Sequence, residues 1–296
     1  MHKSCLEGVY DLMAAADPLP LVFDSPHSGT HYPDDFDHAC DHDFLEKAED
    51  KYVDDLFSSA PDQGACLLSA LFPRSYLDVN RAPDDIDPEL MAVEWPYDDM
   101  PMNPSNRSHA GIGLIRRLVK PGQPVYDRAL SPEEIRTRLE TYYRPYHEVL
   151  KKLIEGAHYN FGHVWHVNCH SMPTANLSQG ALGRVNPFQT PDFVLGDRDG
   201  TTCDIHFTHA LRDFLRNKGY KVAINDPYKG VELVERYSNP ATGRHSIQIE
   251  ISRALYLNEE TYKKNKNYDK LKSDMSDLIA FCAKYVQVNL NQIAAD

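Results

Sequence analysis

The sequence predicts an α/β layered fold. Short apolar runs rich in β-branched and aromatic residues alternate with stretches of helical period. No internal repeat or low-complexity linker interrupts that alternation. At 296 residues and 42% hydrophobic, the chain can bury the core of one large domain or two small ones.

The first expected strand is Leu21–Asp24, an apolar run that breaks into Ser-Pro-His. A helix follows over His42–Ser59, where Leu45, Val53, Leu56 and Phe57 fall on one face. Strands are then expected at Cys66–Leu71 and Tyr76–Val79. From Ala82 to Gln123 the chain is rich in Pro, Asp, Asn and Gly and reads as long ordered loops, where binding residues gather. The helix Pro132–Ala157 has a strong start: Ser131 caps it, Pro132 suits its first turn and Glu134 completes a capping box. Pro145 lies inside it and should bend or split it. The run His163–Cys169 reads as a strand terminated by Ser171-Met172-Pro173. A helix over Asp204–Lys218 ends at Gly219 in the left-handed manner. Tyr220–Ile224 and Ser246–Ser252 complete the strands, and Tyr268–Val288 the helices.

Charge and cysteine usage narrow the function. The 31 basic and 44 acidic residues give a net charge of −13, which repels nucleic acid and anionic membranes. A local arginine cluster can still invert the field inside a cleft. No apolar run is long enough to span a bilayer, and the first twenty residues lack the apolar core of a signal peptide. Six scattered cysteines with no CxxC read as reduced thiols, so a cytoplasmic location is expected.

Two histidines stand at strand ends. His27 leaves the first strand on a turn fixed by Pro26 and Gly29, and His170 closes the run HVWHVNCH. Imidazoles at the carboxyl ends of two strands, joined by a carboxylate, make a zinc site on an α/β sheet. The plainer alternative for His27 is a hydrogen bond within its own turn. Asp50, on the core boundary of the first helix, can supply the carboxylate, with Glu49 and Asp54 as alternatives; it can equally belong to a solvated acidic face. His31 is a rival ligand, four residues after His27. Glu250 shares a strand face with Gln248 and Ser252, opposite Ile247, Ile249 and Ile251. An acid in so apolar a strand is costly unless paired or functional. Beside a metal it can act as a general base; otherwise it pairs with Arg253 or Arg244. Asn80-Arg81 leaves a strand well made to grip a carboxylate, and Arg116 or Arg117 can hold a second. Each arginine can instead pair with one of the many acids. His-Ser neighbours at 27–28 and 170–171 do not make a serine nucleophile without a GxSxG elbow, and GDRDGTTCD (196–204) lacks a nucleotide-binding pattern.

SPHSGTHYP, EDKYVDDLF, RSYLDVNRAP, VNCHSMP, PDFVLGDRDGTTC and NDPYKGVELVERYSNPATGRHSIQIEISRALYLNE, in that order, resemble the N-formylglutamate amidohydrolases, the deformylases of histidine degradation. The resemblance covers roughly residues 20–285. It implies a single domain over 1–296, with a zinc-peptidase-like three-layer fold whose mixed central sheet is flanked by helices. It also implies zinc-dependent hydrolysis of N-formyl-L-glutamate to formate and L-glutamate. By motif, His27, Asp50 and His170 look like the metal ligands and Glu250 like the catalytic glutamate. Asn80 and Arg81 look like a carboxylate clamp, with Tyr228, Lys229 and Arg244 as further pocket residues. Zinc is the expected ion, although iron, cobalt or manganese suits such a donor set. Two rival functions stay open: a zinc hydrolase of another N-acyl amino acid or a carboxypeptidase-like amidase, and a non-catalytic dicarboxylate-binding protein.

Overall fold

The computed structural model describes residues 2–120, 122–174 and 190–293. Eight strands form one mixed sheet. In chain order they are β1 (His2–Leu6), β2 (Tyr10–Ala14), β3 (Leu21–Ser25), β4 (Cys66–Ala70), β5 (Val164–Met172), β6 (Phe193–Gly196), β7 (Val222–Ile224) and β8 (Arg244–Ser252). Their order across the sheet is β1-β2-β4-β3-β5-β8-β6-β7. The central four, β4-β3-β5-β8, run parallel to one another. Antiparallel pairs join β1 to β2, β2 to β4 and β8 to β6.

Helices cover both faces. They include α1 (His42–Glu46), α2 (Val53–Leu56), α3 (Pro132–Arg138), α4 (Arg144–Phe161), α5 (Ile205–Asn217) and α6 (Tyr268–Ile293), besides two short helices at Asn106–His109 and Glu232–Arg236. One face of the central strands is apolar: Phe23, Val167, Cys169, Ile247, Ile249 and Ile251 are buried against α2, α5 and α6. Each such side chain contributes about 1.5–3 kcal/mol on burial. The other face packs against α4 through Val22, Leu68, Val164, Tyr146, Leu150 and Ile154. Toward the carboxyl ends of the strands this second face turns polar, with Asp24, His166, Asn168, His170, Gln248 and Glu250 all buried. Among the described residues, no helix is long and apolar enough to cross a membrane.

Three local departures from the sequence reading have physical causes, and the expected interruption near Pro145 is present. The expected helix 42–59 breaks between α1 and α2, because Tyr52 adopts φ +64° and Asp50 N–H donates to His27 O instead of to its own helix. The expected strand 76–79 is a turn region after Pro73; the β4 edge it would need is taken by β2. The helix from Pro132 keeps its Ser131–Glu134 capping box but widens into a π turn over Leu139–Tyr143. That turn lies just before Pro145, which cannot donate and would clash with the preceding turn. The hairpin β1–β2 and strand β6 were not foreseen, being short and bordered by polar residues.

Candidate metal centre and active site

His27 and His170 meet at the carboxyl ends of β3 and β5, which are parallel neighbours. Their rings lie 4.6 Å apart between centroids. The turn after β3 presses against residues 71–72, and only glycine fits at 29: a Cβ there would come within 2.3 Å of Phe72 O. The broken helix brings Asp50 to the same point. Asp50 Oδ2 lies 3.1 Å from His170 Nδ1 and 3.4 Å from His27 Nδ1. All three residues are buried.

The surrounding groups fix which imidazole nitrogen is free. His27 Nε2 donates to Asp78 Oδ1 at 2.7 Å, so Nδ1 is left with a lone pair, and it has no hydrogen-bond partner. His170 Nε2 donates to Asn168 Oδ1 at 2.6 Å. Asn80 Nδ2 also approaches that nitrogen, at 3.1 Å, while its Oδ1 accepts from Leu233 N. Although burial opposes ionisation, Arg74, His27 and Arg81 hold the Asp78 carboxyl well below the usual carboxylate range. Asp50 is likewise held low against burial, by the close approach of His170 and His27 and by the Arg74 charge. Its Oδ1 accepts from Arg253 Nη2 at 3.0 Å.

This donor set fits a divalent cation. A tetrahedral ion with bonds of about 2.0–2.1 Å spaces its ligand atoms by about 3.3 Å, close to the spacings from Asp50 to the two rings. Each histidine also has its second nitrogen anchored to an acceptor, as metal-binding imidazoles do.

The alternative ligands lie elsewhere. Glu49 accepts from the Tyr32 hydroxyl and faces Lys51. His31 is exposed and packs against Gly8. Asp54 is in neither grouping of close potential ligands among the described residues. The second grouping, His42, Asp43 and Glu46, is largely exposed. The serine hydroxyls are spoken for: Ser28 Oγ accepts from Asp54 N, and Ser171 Oγ donates to Asp50.

Glu250 stands beside His170, its register partner on β8. Neither Arg253 nor Arg244 pairs with it: Arg253 binds Asp50, and Arg244 is at the opposite end of the strand. Gln248 Nε2 donates to Glu250 Oε1 at 2.8 Å. Burial, reinforced by the Asp50 charge and moderated by His170 and Arg74, pushes the Glu250 carboxyl up to about 7.

These groups line a cavity of about 780 Å³. Six arginines (Arg74, Arg81, Arg107, Arg116, Arg198 and Arg253) and three lysines (Lys47, Lys120 and Lys229) line it, against the carboxylates of Asp50 and Glu250. In a chain of net charge −13 this is a local inversion of the field. Arg74 and Arg253 are committed to Asp78 and Asp50. Arg81 and Arg116 form no ion pair among the described residues, and the Nε of each is buried without a partner. Burial and neighbouring guanidinium groups push Arg81 down to about 10 and Arg116 down to about 9. Tyr228 and Lys229 also face the cavity, on a loop that approaches β6 closely. Glycine is required at 196, where a Cβ would come within 2.7 Å of Gly230 N. Lys229 pairs with Asp199.

Two expected pocket residues are placed elsewhere. Arg117 pairs with Asp87 and Glu89 and does not line the cavity. Arg244 lines a separate cavity of about 790 Å³, walled by Tyr143, His147 and Tyr237 among others. Sequence reasoning did not single out Arg107, Arg253, Asp78 or Asn168 for this site. Asn168 was accessible by alternation, two residues before His170 on one strand face.

Residues 19–257 match the sequence profile of the N-formylglutamate amidohydrolase family. The chain belongs to that family. It is similar to the N-formylglutamate amidohydrolase of Ralstonia eutropha JMP134, known from a crystal structure. That match has 44% identity and a TM-score of 0.90, and covers 95% of this chain and 99% of the other. Among curated proteins it is 28% identical to the N-formylglutamate deformylase of Pseudomonas putida over 251 residues, 81% of this chain and 83% of that one. It is 27% identical to the deformylase of Pseudomonas aeruginosa, over 82% and 84% of the two chains.

Proposed function

We propose that this family member, acting as a single domain, hydrolyses N-formyl-L-glutamate to formate and L-glutamate with a divalent cation, zinc first among the candidates. One observation carries the reading: two imidazole nitrogens converge on one buried carboxylate oxygen, with a glutamate that forms no ion pair among the described residues on the adjacent strand. Family membership supplies the substrate class.

His27, Asp50 and His170 would hold the cation. Bound there, it supplies Lewis acidity that polarises a carbonyl and acidifies water. The remaining work belongs to the chain. Arg81 and Arg116 each receive one substrate carboxylate, which provides the anionic partner that neither finds among the described residues. Asn80, held by the bond that its Oδ1 accepts from Leu233 N, fixes the start of this clamp. Tyr228 and Lys229 close the side of the pocket. Gripping both ends of a short dicarboxylate fixes the formamide between them, and positioning of this kind can remove several kcal/mol of the barrier. Glu250 takes a proton from water as its oxygen bonds to the formyl carbon. It then returns that proton to the glutamate nitrogen as the C–N bond breaks. A carboxyl near pH 7 suits both halves of the exchange.

The test is formate release from N-formylglutamate beside N-formylaspartate and N-acetylglutamate, together with elemental analysis. Preference for N-formylglutamate and about one zinc per chain support the reading. Faster turnover of the acetyl compound would move the assignment to another N-acyl amino acid. A metal-free chain that binds dicarboxylates without turnover would make it a binding protein.

A further inference from the structure

Gln248 sits two residues before Glu250 on the same face of β8, lines the same cavity and is only 4% exposed. Its amide is oriented by its neighbour. The Nε2 group donates to Glu250 Oε1; the reversed orientation would set oxygen against carboxylate. The carbonyl Oε1 is therefore turned the other way. It is buried and has no hydrogen-bond partner among the described residues. On its β6 side the register partner is Gly196, which has no side chain to offer a donor.

A buried carbonyl without a donor is a demand that a ligand can meet. At neutral pH N-formylglutamate has both carboxylates ionised and a formyl oxygen that only accepts. Its one N–H donor is on the bond to be cut. We propose that Gln248 Oε1 accepts this scissile N–H while Nε2 holds the Glu250 carboxylate. Gln248 thus places the leaving nitrogen beside the group that protonates it, and it makes the site selective for secondary amides over esters. This inference rests on the function proposed above and adds a recognition residue to it. When the C–N bond breaks, the nitrogen gains the proton carried by Glu250 and keeps its original N–H on Gln248.

The test compares N-formylglutamate with its ester counterpart, O-formyl-2-hydroxyglutarate, which has the same carboxylates and no N–H. Loss of the Gln248–Glu250 bond in Gln248→Met affects both substrates; loss of the acceptor affects only the amide. The expected result is a fall in kcat/KM at least about tenfold larger for the amide than for the ester, with metal content unchanged. Equal falls would overturn the proposal and leave Gln248 as a support for Glu250 alone. Should Gln248→Met not fold, the native protein carries the test: KM for the ester is expected about tenfold or more above that for the amide, and equal values overturn it. A native protein inactive on both compounds would remove the functional reading and this inference with it. Activity with equal effects removes only the inference.

Discussion

Glu250 and His170 are register partners on adjacent parallel strands, so a carboxyl near pH 7 stands one strand away from the buried His–Asp–His cluster. The sheet itself sets that spacing. Glu250→Gln keeps the shape but removes the proton acceptor, and loss of general acid–base catalysis costs about 10²–10⁴ in kcat. Metal content should not change, because Glu250 contributes none of the three converging atoms. Formate release and elemental analysis on one preparation read both quantities. Undiminished turnover would remove Glu250 from the mechanism.

Asp78 holds the His27 ring through Nε2 and neutralises Arg74. In Asp78→Asn the amide no longer fixes the tautomer that leaves Nδ1 free. Affinity for zinc should fall about 10–100-fold, measured by competition with a chromogenic chelator. The metal-free protein should also lose about 1.5–3 kcal/mol of stability, since the partly buried Arg74 loses its charged hydrogen-bond partner. Unchanged zinc affinity would show that Asp78 serves only Arg74.

Arg116 and Arg117 are neighbours with opposite circumstances. Arg116 faces the cavity with no acid partner among the described residues, whereas Arg117 is tied to Asp87 and Glu89. A hydrogen bond to a charged group contributes about 1.5–3 kcal/mol, so Arg116→Met should raise KM for N-formylglutamate by roughly 10–150-fold. Arg117→Met should leave KM near the native value. The reverse pattern in steady-state kinetics would exchange their roles.

The strand ends were legible because their punctuation is chemical: Pro26 and Gly29 turn the chain after β3, and Pro173 ends β5 just beyond His170, although Ser171 and Met172 still belong to the strand. Face alternation likewise places Glu250 and Gln248 together. Asp50 was harder to place among its neighbours, since the helix appeared continuous. Its break depends on a left-handed Tyr52, a conformation tyrosine rarely adopts and nothing local announces. Tyr76, Leu77 and Val79 do enter the core, yet apolar content could not reveal that both sides of the neighbouring β4 are taken, by β2 and β3. Which arginines would be neutralised was also hidden, because Asp87 lies 30 residues from Arg117 and their pairing is set by loop packing.

His147 links this substrate grip to stability. Its Nε2 donates to Val79 O at 2.9 Å, next to Asn80-Arg81, and its Nδ1 accepts from Tyr237 at 2.8 Å. Burial and the Arg236 charge push the ring down to about 3, against about 6.5 in an unfolded chain. Between those values the unfolded chain binds one more proton at this position than the folded one. The contribution of His147 is therefore fully present above about pH 6.5 and declines as pH falls toward 3, by about 1.4 kcal/mol per pH unit. Glu49 and Glu250, both raised to about 7, act in the opposite sense, so the native slope alone is not diagnostic. The difference between native protein and His147→Gln isolates the ring. Urea denaturation of the metal-free proteins at pH 4.5, 5.5 and 6.5 should show the stability advantage of the native chain shrinking by about 1.4 kcal/mol per unit as pH falls. Parallel curves would mean that the ring is already protonated in the fold, which its bond to Val79 O and its acceptance from Tyr237 argue against.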